Sequence, residues 1–175
     1  MQLYFLRHGK AVEPGGPDAC DDASRALTPD GITEIEAEAE VLDRLGVRPD
    51  VIWTSPLLRA RQTAEIVARR LGLEKRLMET ELLAPGCDLD RLRKLLERQG
   101  TVERVMLVGH EPDFSSMVGD LISARGVAME LKKGGLAVVQ LDGSVRAGKG
   151  VLRWLVPPKL LVRCASSDAA GDDAD

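Results

Sequence analysis

The chain has 175 residues, 44% of them hydrophobic and only 3% aromatic, with a formal net charge of −4. That length and apolar content suit one compact domain with a core of Leu, Val, Ile and Ala. Few aromatic platforms and interspersed charges argue against nucleic-acid partners.

No apolar stretch approaches the roughly 20 residues of a membrane span, and the N-terminal run MQLYFL is too short for a secretory signal. Cys20, Cys87 and Cys164 are odd in number and far apart, which suits a reducing compartment better than a disulfide framework or a CxxC metal site. The expectation is a cytoplasmic monomer with no membrane partner.

Residues 2–6 read as a short buried strand closed by Arg7, His8 and Gly9. A loop from about Lys10 to Leu27 follows, rich in Pro, Gly and Asp. Thr28 and Pro29 then signal a helix start, Ile32, Ile35, Ala39, Leu42 and Leu45 recur at helical spacing, and Gly46 ends the helix. The unit repeats. Asp50–Trp53 is a strand, Thr54-Ser55-Pro56 restarts a helix, and Leu57–Leu71 continues it to Gly72. A variable stretch from Glu79 to Asp88 precedes a helix over about Leu89–Gln99.

Val105–Val108 is a further buried strand, broken at Gly109-His110, and a helix is predicted from about Asp113 to Ser123. Leu136–Leu141 and Val151–Val156 read as a hairpin or a pair of edge strands. Alternating strands and helices imply a single three-layer α/β/α domain around a mainly parallel sheet. We expect it to span residues 1–163. Residues 164–175 hold four Asp and no basic residue, a composition expected of an acidic, disordered tail.

The chemistry concentrates at strand ends. The chain has two histidines, each following an apolar strand and each beside a glycine, in LYFLRHG and VMLVGHEP. Ligands of open parallel sheets bind beyond the carboxyl ends of the strands, so His8 and His110 meet there if their strands are neighbours. Gly9 and Gly109 would allow close approach of backbone and ligand. Arg7 joins from the first strand and Arg59 from the first turn of the second helix. Two histidines and two arginines make a cationic pocket suited to a doubly charged phosphoryl group.

Other chemistries lack their residues. There is no GxxxxGK[ST] loop, no GxSxG elbow and no HExxH pair. A cysteine phosphatase built on Cys20 and Arg25 would place Asp21 and Asp22 beside the thiolate, where their charges oppose both thiolate and phosphate.

Four blocks in order resemble the histidine phosphatase superfamily, the group that includes phosphoglycerate mutases. They are Leu6-Arg7-His8-Gly9, Arg25-Ala26-Leu27-Thr28-Pro29-Asp30-Gly31, the run from Ser55 to Ala64, and Val108-Gly109-His110-Glu111-Pro112. The short length leaves no room for a large cap, and the segment Glu81–Asp88 resembles the phosphohistidine phosphatase, or SixA-like, branch.

The resemblance implies a phosphoglycerate-mutase-like fold and a hydrolase in which His8 is the nucleophile. Arg7, Arg25, Arg59 and His110, the last protonated, would hold the phosphate. Glu81 is the implied general acid, with Glu79 and Asp88 as competitors. No metal or cofactor is implied. The expected substrate is a phosphorylated protein carrying phosphohistidine; the alternatives are a small phosphate monoester and a recognition module without turnover. A mutase is disfavoured, because nothing would close over the product to exclude water. Lys10, Lys132 and Lys133 read as solvated surface.

Overall fold

The computed structural model describes residues 1–15, 21–97 and 102–167. Cys20, the last residues of the third predicted helix and the chain beyond Ser167 lie outside the described residues.

The strands are β1 (Gln2–Arg7), β2 (Val51–Thr54), β3 (Leu77–Glu79), β4 (Arg104–Gly109), β5 (Leu136–Leu141) and β6 (Gly150–Val156), and the helices are α1 (Pro29–Arg44), α2 (Leu58–Leu71), α3 (Leu89–Glu97), α4 (Asp113–Ile122) and α5 (Pro158–Ser167). The sheet order is β3-β2-β4-β1-β5-β6. Strands β3, β2, β4 and β1 pair in parallel, while β5 runs antiparallel to both β1 and β6. The predicted pair of late strands is therefore one inner strand and one edge strand.

Alternation along the inner strands sends side chains to opposite layers. Leu3, Phe5, Val105 and Leu107 pack with Leu92, Leu95 and Leu96 of α3 and with Phe114, Met117 and Leu121 of α4. Tyr4, Leu6, Met106 and Val108 face the other way, against Ile35, Ala39 and Leu42 of α1, Ala60, Ala64 and Val67 of α2, and Leu161 of α5. These two apolar layers make the α/β/α sandwich.

The helix boundaries follow local chemistry. Thr28 caps α1 by accepting the Gly31 N–H at 3.0 Å, with Pro29 at the first position, a cap worth about 1 kcal/mol. Gly72 closes α2 in the left-handed conformation at φ 67°.

Two elements escape the sequence reading. Strand β3 has three residues, too few for a periodicity. Helix α5 begins at Pro158 and runs through the boundary expected at residue 163, carrying Cys164 to Ser167 as helix. Leu161 anchors it in the core, and Arg44 on α1 donates to the Cys164 carbonyl at 3.1 Å.

Candidate active site

Strands β1 and β4 are hydrogen-bonded neighbours in a register that sets Arg7 opposite Gly109. The next residue of each is a histidine, so the two imidazoles emerge together, with ring centroids 5.2 Å apart. The His8 N–H donates to the Gly109 carbonyl at 3.0 Å and continues the ladder one step beyond the strands. Both rings are buried, and both line a cavity of about 390 Å³ with Arg7, Arg25, Arg59, Glu13, Asp22, Pro85, Glu111 and Lys133.

The tautomer of His8 follows from its partners. Nδ1 lies 2.7 Å from the Gly9 carbonyl, which can only accept, so Nδ1 carries the proton. Arg59 Nε donates to Nε2 at 3.3 Å, which requires a lone pair there. Burial, and after it the charges of His110, Arg59 and Arg7, hold the His8 pKa down to about 3 against the Gly9 hydrogen bond. At neutral pH this imidazole is uncharged, with its lone pair on Nε2.

His110 differs from the sequence expectation. Burial first, then Arg59, lowers its pKa to about 4, so it is neutral rather than protonated in the unliganded protein. Its Nε2 lies 2.7 Å from Ser55 Oγ, which also accepts the Leu57 N–H at 3.3 Å. With that hydroxyl donating to Nε2, the ring proton sits on Nδ1, a buried atom without a partner.

The cations are fixed by backbone carbonyls. Arg7 Nη1 donates to Leu131 O at 2.8 Å, and Arg59 Nη1 to Asp22 O at 2.6 Å. Arg7 Nε and Arg25 Nε, like His110 Nδ1, are buried donors with no acceptor. Three such donors around one cavity are what an oxyanion would satisfy.

The start of α2 holds four parts of the site at once. Ser55, expected at a helix start, lies ahead of α2 and holds the Leu57 N–H while it contacts His110. Arg59 holds His8. Gln62 Oε1 accepts the Leu27 N–H at 2.7 Å, tying the first loop to the helix. Thr63 Oγ1 accepts the Gly9 N–H at 3.1 Å and donates to Arg59 O at 2.7 Å. Arg59 and Thr63, four residues apart, share the buried face of α2 with Ala60, Ala64 and Val67, and that spacing is the sequence signal for the pair.

Other expectations shift. A Cβ on Gly9 would lie 2.7 Å from Ile35 Cγ1, and one on Gly109 2.6 Å from Phe114 Cζ. These glycines therefore admit the packing of α1 and α4 against the strand ends.

Glu81 is exposed on a 3₁₀ turn and is not among the cavity residues; Pro85 is the part of that segment that reaches the wall. Glu79 pairs with Arg61 at 3.7 Å, and Asp88 accepts the Arg91 N–H at 2.9 Å at the start of α3. The carboxylates that do line the cavity are Glu13, Asp22 and Glu111. Lys133 also lines it and pairs with Glu13 at 3.5 Å, whereas Lys10 pairs with Glu34 and Lys132 with Glu130 on the surface.

Among the described residues no group of three or more His, Cys, Asp or Glu could hold a metal ion, and no helix is long and apolar enough to cross a membrane.

Residues 3–82 match the family model of the histidine phosphatase superfamily (branch 1). An uncharacterised protein of Picosynechococcus is 39% identical over 78% of this chain and 82% of its own length. The phosphohistidine phosphatase SixA of Escherichia coli is 30% identical, over 90% of this chain and 94% of its own. A structure of the protein histidine phosphatase SixA complexed with tungstate superposes with a TM-score of 0.80 at 29% identity, covering 92% of this chain and 99% of that one. A phosphoserine phosphatase of Entamoeba histolytica solved with phosphoserine shares the fold, with a TM-score of 0.66 at 17% identity over 90% of this chain and 98% of that one.

Proposed function

Because the chain belongs to the histidine phosphatase superfamily, we propose that it is a metal-independent protein phosphohistidine phosphatase working through a phosphorylated His8. The observation that carries the reading is the orientation of His8, with Nδ1–H tied to the Gly9 carbonyl and the Nε2 lone pair held beside Arg59.

In the first step Nε2 attacks phosphorus, an N–P bond forms, and the bond to the leaving group breaks. A substrate imidazole protonated on its other nitrogen departs as neutral imidazole, so the leaving group takes no proton from a protein acid. That removes the demand on Glu81, which stands outside the cavity. Phospho-His8 then carries the ring charge against the Gly9 carbonyl.

In the second step water attacks phosphorus, the N–P bond breaks, and inorganic phosphate leaves with neutral His8 restored. Arg7, Arg25, Arg59 and His110 Nδ1–H are the donors for the non-bridging oxygens, and the charge of the three arginines stands where other phosphoryl-transfer sites use a metal ion.

Two observations favour a protein substrate over a small ester. The relative at 30% identity over 90% of the chain is a phosphohistidine phosphatase. Among the described residues, the connections between strands hold no helical insertion beyond α1 to α4 and two 3₁₀ turns, so the cavity stays open to a bulky partner. We place this activity in a single-domain cytoplasmic monomer.

The test is phosphate release from a phosphohistidine-bearing protein and from p-nitrophenyl phosphate, in excess EDTA, by the native protein and His8→Ala. Release from the phosphoprotein that His8→Ala abolishes is the expected result. Turnover of the small ester alone would keep the nucleophile and discard the substrate. Binding of phosphorylated ligands without any turnover would make the protein a recognition module.

A further inference from the structure

The arginine pair of the cavity already has an anion on it. Asp22 Oδ2 lies 3.0 Å from Arg59 Nη2 and Oδ1 lies 3.2 Å from Arg25 Nη1, so one carboxylate bridges two guanidinium groups. The arginine side chains are 6% and 11% exposed and the aspartate side chain 60%, so the carboxylate reaches the pair from the solvent side.

The surrounding backbone holds Asp22 there without its carboxylate. Arg59 Nη1 grips the Asp22 carbonyl at 2.6 Å, and the Leu58 N–H at the start of α2 grips the Ala23 carbonyl at 3.0 Å. Asp21 and Ser24 close the turn on each other, through Ser24 N to Asp21 Oδ1 at 2.7 Å and Asp21 N to Ser24 Oγ at 3.3 Å.

A carboxylate is a poor match for this pocket. It carries one charge and two oxygens, and Arg7 Nε, Arg25 Nε and His110 Nδ1 stay without acceptors. A phosphoryl group brings about two charges and three oxygens.

We propose that Asp22 is a built-in counter-ion of the phosphate pocket, which a phosphoryl group must displace from Arg25 and Arg59 before it can lie against His8. The proposal rests on the reading of this cavity as a phosphate site. Its effect is a threshold: an anion no stronger than a carboxylate exchanges one ion pair for an equal one and gains nothing, whereas a dianion gains. Once displaced, the Asp22 carboxylate opposes product as well as substrate, which speeds release of inorganic phosphate.

The measurement is calorimetric binding of inorganic phosphate at pH 7 to the native protein, Asp22→Asn and Glu65→Gln. The asparagine keeps the shape of the side chain and the backbone contacts and removes the charge. Glu65 is an exposed residue of α2 outside the cavity, so its variant removes the same charge elsewhere.

Asp22→Asn is expected to bind phosphate about tenfold more tightly than the other two proteins, the scale of one charge-assisted contact no longer contested. Equal or weaker binding by Asp22→Asn, with the native protein still binding, would overturn the counter-ion role and leave the phosphate site standing. No binding to any of the three, each with a cooperative thermal transition, would overturn both.

Discussion

Replacing Glu38 by glutamine should stabilise the protein at neutral pH, and by more the higher the pH. Glu38 sits on the inner face of α1 with 1% of its surface exposed, and neither carboxyl oxygen has a hydrogen-bond partner. It lies beside the turn that leads into β5, close enough that a Cβ on Gly134 would stand 2.5 Å from Oε1. Burial, and after it the charge of Glu34, push its pKa from 4.5 up to about 9. Between those two values the native carboxyl keeps a proton that the unfolded chain has lost. Unfolding therefore releases a proton, and stability falls by about 1.4 kcal/mol for each unit of rising pH. Across the three units from pH 5 to pH 8 the native protein should lose about 4 kcal/mol through this one group, and Glu38→Gln none of it. Urea denaturation of both proteins at pH 5, 6.5 and 8 measures the divergence. Parallel stability curves would refute the reasoning, because they would mean that Glu38 titrates alike in the folded and unfolded chains.

Three further outcomes follow from the site and its scaffold. The chain has only two histidines, so an NMR titration should find both imidazoles neutral down to about pH 4; midpoints near 6.5 would contradict the burial argument. Arg59→Lys should lower kcat by about 100-fold or more, because a lysine cannot reproduce three directed N–H contacts; steady-state kinetics with a loss under about fivefold would demote Arg59 to a general charge. Gly31→Ala should cost about 2 to 3 kcal/mol in urea denaturation, since the new Cβ would meet the Lys10 carbonyl, a main-chain atom that cannot swing aside; an unchanged midpoint would show that the loop moves freely.

Much of this was legible in the chain because the site is local to strand ends. Each histidine is written next to the apolar strand that delivers it, and a parallel sheet converts that sequence position into a place in space. Arg7 and Arg59 could be read for the same reason. Asp22 could not, since its partner Arg59 is 37 residues away and a loop of mixed Asp, Pro and Gly has no periodicity to aim it. Glu81 fails for the converse reason: a family-like position fixes the neighbourhood of a residue, but the 3₁₀ turn decides where the side chain points. Glu38 left a signal, a carboxylate on the stripe of Ile35, Ala39 and Leu42, but the many acidic residues of α1 make it look like solvated surface. The protonation of His110 depends on burial, which residue types alone do not give.

The pairing of β1 with β4 fixes more than the distance between two rings. Both strands lie in the interior of the sheet, with β2 and β5 on their outer sides. Edges of a sheet fray at little cost, whereas its middle opens only when the whole domain does. The spacing of His8 and His110 should therefore persist while β3 and β6 breathe, and amide exchange at Phe5 and Leu107 should be as slow as global unfolding. Partial denaturation would then leave the two histidines in place while the loop that brings Arg25 and Asp22 comes loose.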